Sequence, residues 1–103
     1  MHNSCGIDTG SDYLNNLLNN SKQLPNNKGK ARCFEAAGGW DNLLKDFSNL
    51  NLSNLRDIST QYGAGKLGFL ENGVKVVARQ GSKSAGSKLE VFLTNSRVII
   101  IRY

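Results

Sequence analysis

Histidine is almost missing from this chain of 103 residues: His2 stands alone beside the first methionine. That scarcity removes the commonest general acid and base of hydrolytic enzymes. Two cysteines, Cys5 and Cys33, are too few for a disulfide-built scaffold, and with one histidine they make no four-ligand zinc site. They allow either one bridge, worth about 3 kcal/mol if formed, or two thiols in a reducing compartment. The longest uninterrupted apolar run, residues 98–101, falls far short of the roughly 20 residues that span a bilayer. No charged-then-apolar leader stands at the N-terminus, so export, if it occurs, is expected to depend on sequence outside this chain. Proline occurs once, at Pro25, where it interrupts helical spacing.

What is present is a basic chain of 11.3 kDa with 39% apolar residues, enough to fold as one small domain. The net charge of +5 is unevenly placed. Acidic and basic side chains balance through residue 59. Beyond it Lys66, Lys75, Arg79, Lys83, Lys88, Arg97 and Arg102 face only Glu71 and Glu90. A basic half on a small domain favours a polyanionic partner, nucleic acid first.

The first half, residues 1–55, reads as mostly helical. Ser11 can cap a helix from Asp12 to about Gln23, with Leu14, Leu17 and Leu18 at helical spacing. A short second helix is expected over about 30–37, stopped by Gly38-Gly39. A third runs from Trp40 to about Leu50, and residues 49–55 read as loop. From residue 56 the pattern changes to period two, with strand candidates at 66–70, 74–79, 88–94 and 97–103. The expectation is an α+β domain, N-terminal short helices packed on a four-stranded antiparallel sheet.

Asn72-Gly73 suits a two-residue type I′ turn, which would pair Leu70 with Lys75 and Lys66 with Arg79. Paired residues share a face, so Lys66, Gly68, Lys75 and Arg79 would line an open face, with Gly68 leaving a gap for a ligand. In the second hairpin a loop over 95–97 sets Glu90 opposite Arg102 and keeps Leu89, Val91 and Leu93 on the core side. Phe92 and Thr94 join the open face. The rim loop over 81–87, glycine- and serine-rich with Lys83, can offer donors to phosphate but lacks the spacing of a P-loop.

Cleaving RNA without a metal needs a base for the 2′-hydroxyl, cations for the charge on the phosphorane, and an acid for the leaving oxygen. Glu90 is the candidate base, with Arg79, Arg102 and Lys66 as clamps and Lys66 or Tyr103 as candidate acids. Lys75, Ser82, Lys83, Lys88 and Arg97 are candidate RNA-binding residues. The plainer reading makes Glu90 and Arg102 an ordinary cross-strand ion pair.

Residues Arg56-Asp57-Ile58-Ser59-Thr60, Tyr62-Gly63, Gly65-Lys66, Gly68, Asn72-Gly73, Arg79, Gly81-Ser82, Leu89-Glu90 and Ile101-Arg102-Tyr103 together resemble the C-terminal toxin domains of contact-dependent growth inhibition effectors and Rhs polymorphic toxins. The resemblance covers nearly half the chain. It implies a ribonuclease of the barnase, colicin and RelE type, most like colicin D, that cuts tRNA without a metal or other cofactor. It favours Arg56, Thr60, Lys66, Arg79, Ser82, Glu90 and Arg102 as the functional set. It also implies export within a larger effector, action in the cytoplasm of the target bacterium, and a cognate immunity protein, with a translation factor of the target cell as a further possible partner. The chain departs from the colicin D pattern in lacking a catalytic histidine, but RelE-like members build sites from Lys, Arg and Tyr. A noncatalytic RNA-binding module using the same face is the alternative. An ADP-ribosylating toxin ranks last, because the chain is short for that fold and its dinucleotide pocket.

Overall fold

The computed structural model describes residues 9–23, 31–61, 63–81, 86–93 and 97–103. Helix α1 (Asp12–Asn20) is followed by strands β1 (Lys22–Gln23) and β2 (Ala31–Glu35), helix α2 (Gly39–Asn49), and strands β3 (Ser53–Thr60), β4 (Gly63–Phe69), β5 (Lys75–Arg79), β6 (Lys88–Phe92) and β7 (Val98–Arg102). The strands form one mixed sheet in the order β1-β2-β7-β6-β5-β4-β3. This corrects the expected four-stranded antiparallel sheet: there are seven strands, two helices, and one parallel pair, β2 with β7.

Helix α1 begins where the sequence places it, with Ser11 accepting a hydrogen bond from the Leu14 N–H. It ends at Asn20 rather than Gln23, because Lys22 and Gln23 pair with Glu35 and Phe34. The helix expected over 30–37 is instead β2. The β-favouring Cys33 and Phe34 sit beside Ile100 and Ile101 of β7, a partner more than sixty residues away along the chain that local periodicity does not reveal. Gly38 does not stop a helix. It precedes one, as the N-cap of α2 at φ 104.

The expected loop over 49–55 yields at Ser53 to the edge strand β3. Its register with β4 shifts between Ser53 and Arg56, where Asn54 takes φ 53, a bulge at a residue type that tolerates the left-handed region. An exposed edge strand carries no apolar alternation, which is why the sequence reads as irregular.

The β4–β5 hairpin shows how one residue redistributes a face. The turn is not the two-residue type I′. The Gly73 N–H donates to the Leu70 carbonyl, the Leu70 N–H donates to the Val74 carbonyl, and Gly73 has φ +86. This is a three-residue loop closed by a glycine bulge. Leu67 therefore pairs with Val77, Phe69 with Lys75 and Lys66 with Ala78. A slip of one residue reverses every side chain of the slipped strand, so Leu67 and Phe69 leave the expected core face and Lys66 and Gly68 enter it. The gap at Gly68 is filled, since a Cβ there would stand 2.7 Å from Leu52 and 2.8 Å from Leu55.

Both helices cover this side of the sheet. Leu14, Leu18, Leu43, Phe47 and Leu50 pack on Phe34, Leu70, Val74, Val76, Ala78, Leu89, Val91, Ile99 and Ile101. The core thus lies between one sheet face and the two helices, and among the described residues no helix or strand covers the other face.

Candidate nucleic-acid interface on the open sheet face

Cross-strand partners build the open face in rows. The first row runs Gly65, Arg79, Lys88, Arg102, Glu35 and Lys22 across β4, β5, β6, β7, β2 and β1. The second holds Arg56, Leu67, Val77, Glu90, Ile100 and Cys33, and the third Phe69, Lys75, Phe92 and Val98. Three cations therefore stand side by side on the adjacent strands β5, β6 and β7, roughly 5 Å from strand to strand. Like charges directly opposite one another are destabilising, a cost offset in part by Glu35 beside Arg102 and by Glu90 beside Arg79.

Glu90 lies one row inward, flanked diagonally by Arg79 and Arg102. Its Oε1 is 2.6 Å from Arg79 Nε, with the arginine side chain 46% exposed and the glutamate 18%. That oxygen is shielded from solvent, and Arg79 is the charge that holds it. The expected pairing of Glu90 opposite Arg102 does not occur. Leu93 and Arg97 close the hairpin, so Lys88 faces Arg102 and Glu90 faces Ile100. That two-residue displacement preserves which face each side chain occupies. In the third row the Lys75 ammonium sits 4.8 Å from the centroid of the Phe92 ring, a cation–π contact.

The candidate residues divide between places. Arg79, Lys88, Glu90, Arg102 and Lys75 share the open face, and Arg56 joins it at the β3 edge as the partner of Leu67. Lys66 does not: it pairs with Ala78 on the helix side and bonds Asp57 at 2.9 Å. With Asp57, Phe47, Leu52 and Leu55 it lines a cleft of about 510 Å³ beside the end of α2, which Arg56 borders from the edge strand. Thr60 is on the edge strand and donates its hydroxyl hydrogen bond to the Gly63 carbonyl at 2.9 Å. Arg97 precedes β7, at the far end of that strand from Arg102. Ser82, Lys83 and Thr94 lie outside the described residues, as do His2 and Cys5, and with Cys5 the question of a bridge to the buried Cys33.

Tyr103, a candidate acid, is likewise off the open face. Its hydroxyl donates to Asp46 Oδ2 at 2.7 Å, while the Tyr13 hydroxyl donates to Asp46 Oδ1 at 2.7 Å. Burial, then the Asp46 bond and charge, push the Tyr103 phenol well above its ordinary value. The Asp46 bond is the first cause of the smaller rise at Tyr13, ahead of burial. This three-residue tie joins α1, α2 and the end of β7. Its spacing of thirty-odd and fifty-odd residues leaves no local sequence signal.

Comparison with protein-family models, curated proteins and solved structures finds no match to this chain.

Proposed function

We propose that the chain is a metal-independent ribonuclease toxin domain that cleaves tRNA in competing bacteria, with the open sheet face as its substrate surface. The observation that carries this reading is the row of adjacent cations Arg79, Lys88 and Arg102 with the Glu90 carboxylate one row inward, ion-paired to Arg79. A substrate phosphate meets the cations and, by engaging Arg79, frees the Glu90 carboxylate for the adjacent 2′-hydroxyl.

In this mechanism Glu90 takes the proton of the 2′-hydroxyl and the 2′-oxygen attacks the adjacent phosphorus. Arg79 and Arg102 neutralise the charge that builds on the phosphorane. The bond from phosphorus to the 5′-oxygen breaks, and Lys88 returns a proton to that oxygen, a role for which Lys66 and Tyr103 are on the wrong side of the sheet. The products are a 2′,3′-cyclic phosphate and a 5′-hydroxyl end. A cognate immunity protein that masks this face would present an acidic surface to it.

The second reading is a noncatalytic RNA-binding module, and the close Arg79–Glu90 ion pair favours it, since such a pair also serves simply to hold two strands. Incubating the purified chain with total tRNA separates the two. Discrete fragments ending in 2′,3′-cyclic phosphate, lost in Glu90→Gln, support the ribonuclease. Intact tRNA bound at the face, with or without added translation factors, leaves the binding module.

A further inference from the structure

We infer that the third row of the open face is a stacking subsite for unpaired bases, so that the RNA taken by this surface is single-stranded where it crosses the sheet. The inference rests on the assignment of this face to RNA and specifies the form of the substrate.

Phe69 and Phe92 flank Lys75 as its direct partners on β4 and β6, so two partly exposed rings and an ammonium group form one row on the side away from the helices. Neither phenylalanine belongs to the hydrophobic cluster under α1 and α2, and packing of the core therefore does not account for them. The Lys75 ammonium rests over the Phe92 ring. An exposed cation–π contact is weaker than the stacking of a nucleobase on an aromatic ring. An arriving base therefore displaces the ammonium from the ring, and the freed Lys75 meets the phosphate beside that base.

The spacing suits the same strand of RNA. Arg79 and Lys75 are four residues apart on β5, about 13 Å along the strand, which a few nucleotides cover. Between the two rows lie Leu67, Val77 and Ile100 around the Glu90 carboxylate, a floor that offers apolar contact on either side of one acceptor. A duplex buries the faces of its bases and offers nothing to these rings, whereas splayed bases of a loop or an end stack on them regardless of sequence.

The test uses an oligonucleotide with 2′-O-methyl riboses, which cannot be cleaved through the 2′-oxygen, as a labelled single strand and as a duplex of equal length. Fluorescence anisotropy on the full chain reads both affinities. The single strand is expected to bind at least tenfold more tightly. Phe92→Leu is expected to weaken single-strand binding roughly tenfold with little change in its salt dependence, Phe92→Tyr to retain it, and Phe69→Leu to weaken it as well. Thermal melts of each variant confirm folding, and Phe69→Leu carries the test if Phe92→Leu does not fold. Equal affinity for strand and duplex, or binding indifferent to both rings, overturns the inference, as does an acidic protein occupying the face in place of RNA. Single-strand preference without any cleavage of tRNA keeps the subsite and removes the ribonuclease.

Discussion

Lys88 and Arg102 are direct partners across the β6–β7 ladder, two cations on one face of neighbouring strands. Arg79 extends the row on the other side of Lys88. An opposed like-charge pair costs stability, by roughly the 0.2–1 kcal/mol that an opposite-charge pair contributes. Replacing Arg102 by Thr, a good strand former, removes this repulsion together with the attraction to Glu35 on β2, and is therefore expected to change stability by less than about 1 kcal/mol, while weakening RNA binding. Urea denaturation and an RNA titration on the same sample check both. A variant that loses stability and keeps its affinity contradicts a functional origin for the row.

Glu90 has the opposite profile. Glu90→Gln keeps the shape and removes the base, so cleavage of tRNA is expected to fall about 10²–10⁴-fold. Affinity is expected to hold or rise, because a negative charge leaves a basic surface. Single-turnover kinetics alongside a binding isotherm separate these effects, and equal losses in both would reduce Glu90 to a positioning role for Arg79.

Lys66 supplies a negative control that the sequence alone does not offer. Its ion pair with Asp57 is well exposed, 46% and 84% for the two side chains, so Lys66→Gln is expected to cost less than about 1 kcal/mol. Turnover is expected to stay within twofold of the parent chain, since Lys66 faces the helix side. A large loss of turnover would move the reaction to the cleft lined by Arg56, Asp57 and Lys66.

The Tyr13–Asp46–Tyr103 tie predicts an alkaline limit to stability. The Tyr103 phenol is raised in the fold, chiefly by burial and then by Asp46. Below the ordinary phenol value near 10 both folded and unfolded states keep the proton, and the contribution is complete. Above it the unfolded chain ionises first, so stability falls as pH rises through that range. Tyr103→Phe is expected to cost about 2 kcal/mol at neutral pH through the lost bond to a buried carboxylate, and to flatten the decline above pH 10. Urea midpoints measured across that range check it; an unchanged slope in the variant would show that Tyr103 does not carry the effect.

Much of this surface is legible in the sequence, and the limits of legibility have particular causes. Ser11 marks the start of α1, the apolar face of Trp40, Leu43 and Phe47 marks α2, and period-two spacing marks β4 through β7, because each signal is local. Strand β2 is missed because Cys33 and Phe34 acquire their partner Ile100 and Ile101 only through a non-local parallel pairing. Strand β3 is missed because its exposed residues have no core face to record. The placement of Lys66 fails on a single residue: Asn72-Gly73 fits both a two-residue turn and a three-residue loop with Gly73 as the bulge, and the choice between them decides the face. The faces of Glu90, Phe92 and Arg102 survive, since the second hairpin is displaced by two residues, a shift that preserves sidedness, and Arg79 keeps its face because the slip in the first hairpin reverses β4 and not β5. Leu67 and Phe69 are the open-face residues the first-hairpin register conceals.

The central claim is that the row on β5, β6 and β7 is where RNA phosphates bind, and the salt dependence of binding measures it most directly. Each phosphate contact on a single strand contributes about 0.7 to the slope of log affinity against log salt. Substituting Arg79, Lys88 and Arg102 together by Gln is expected to lower the magnitude of that slope by about 2, with the fold retained. A slope equal to that of the parent chain would place the phosphate contacts elsewhere on the molecule and contradict the account.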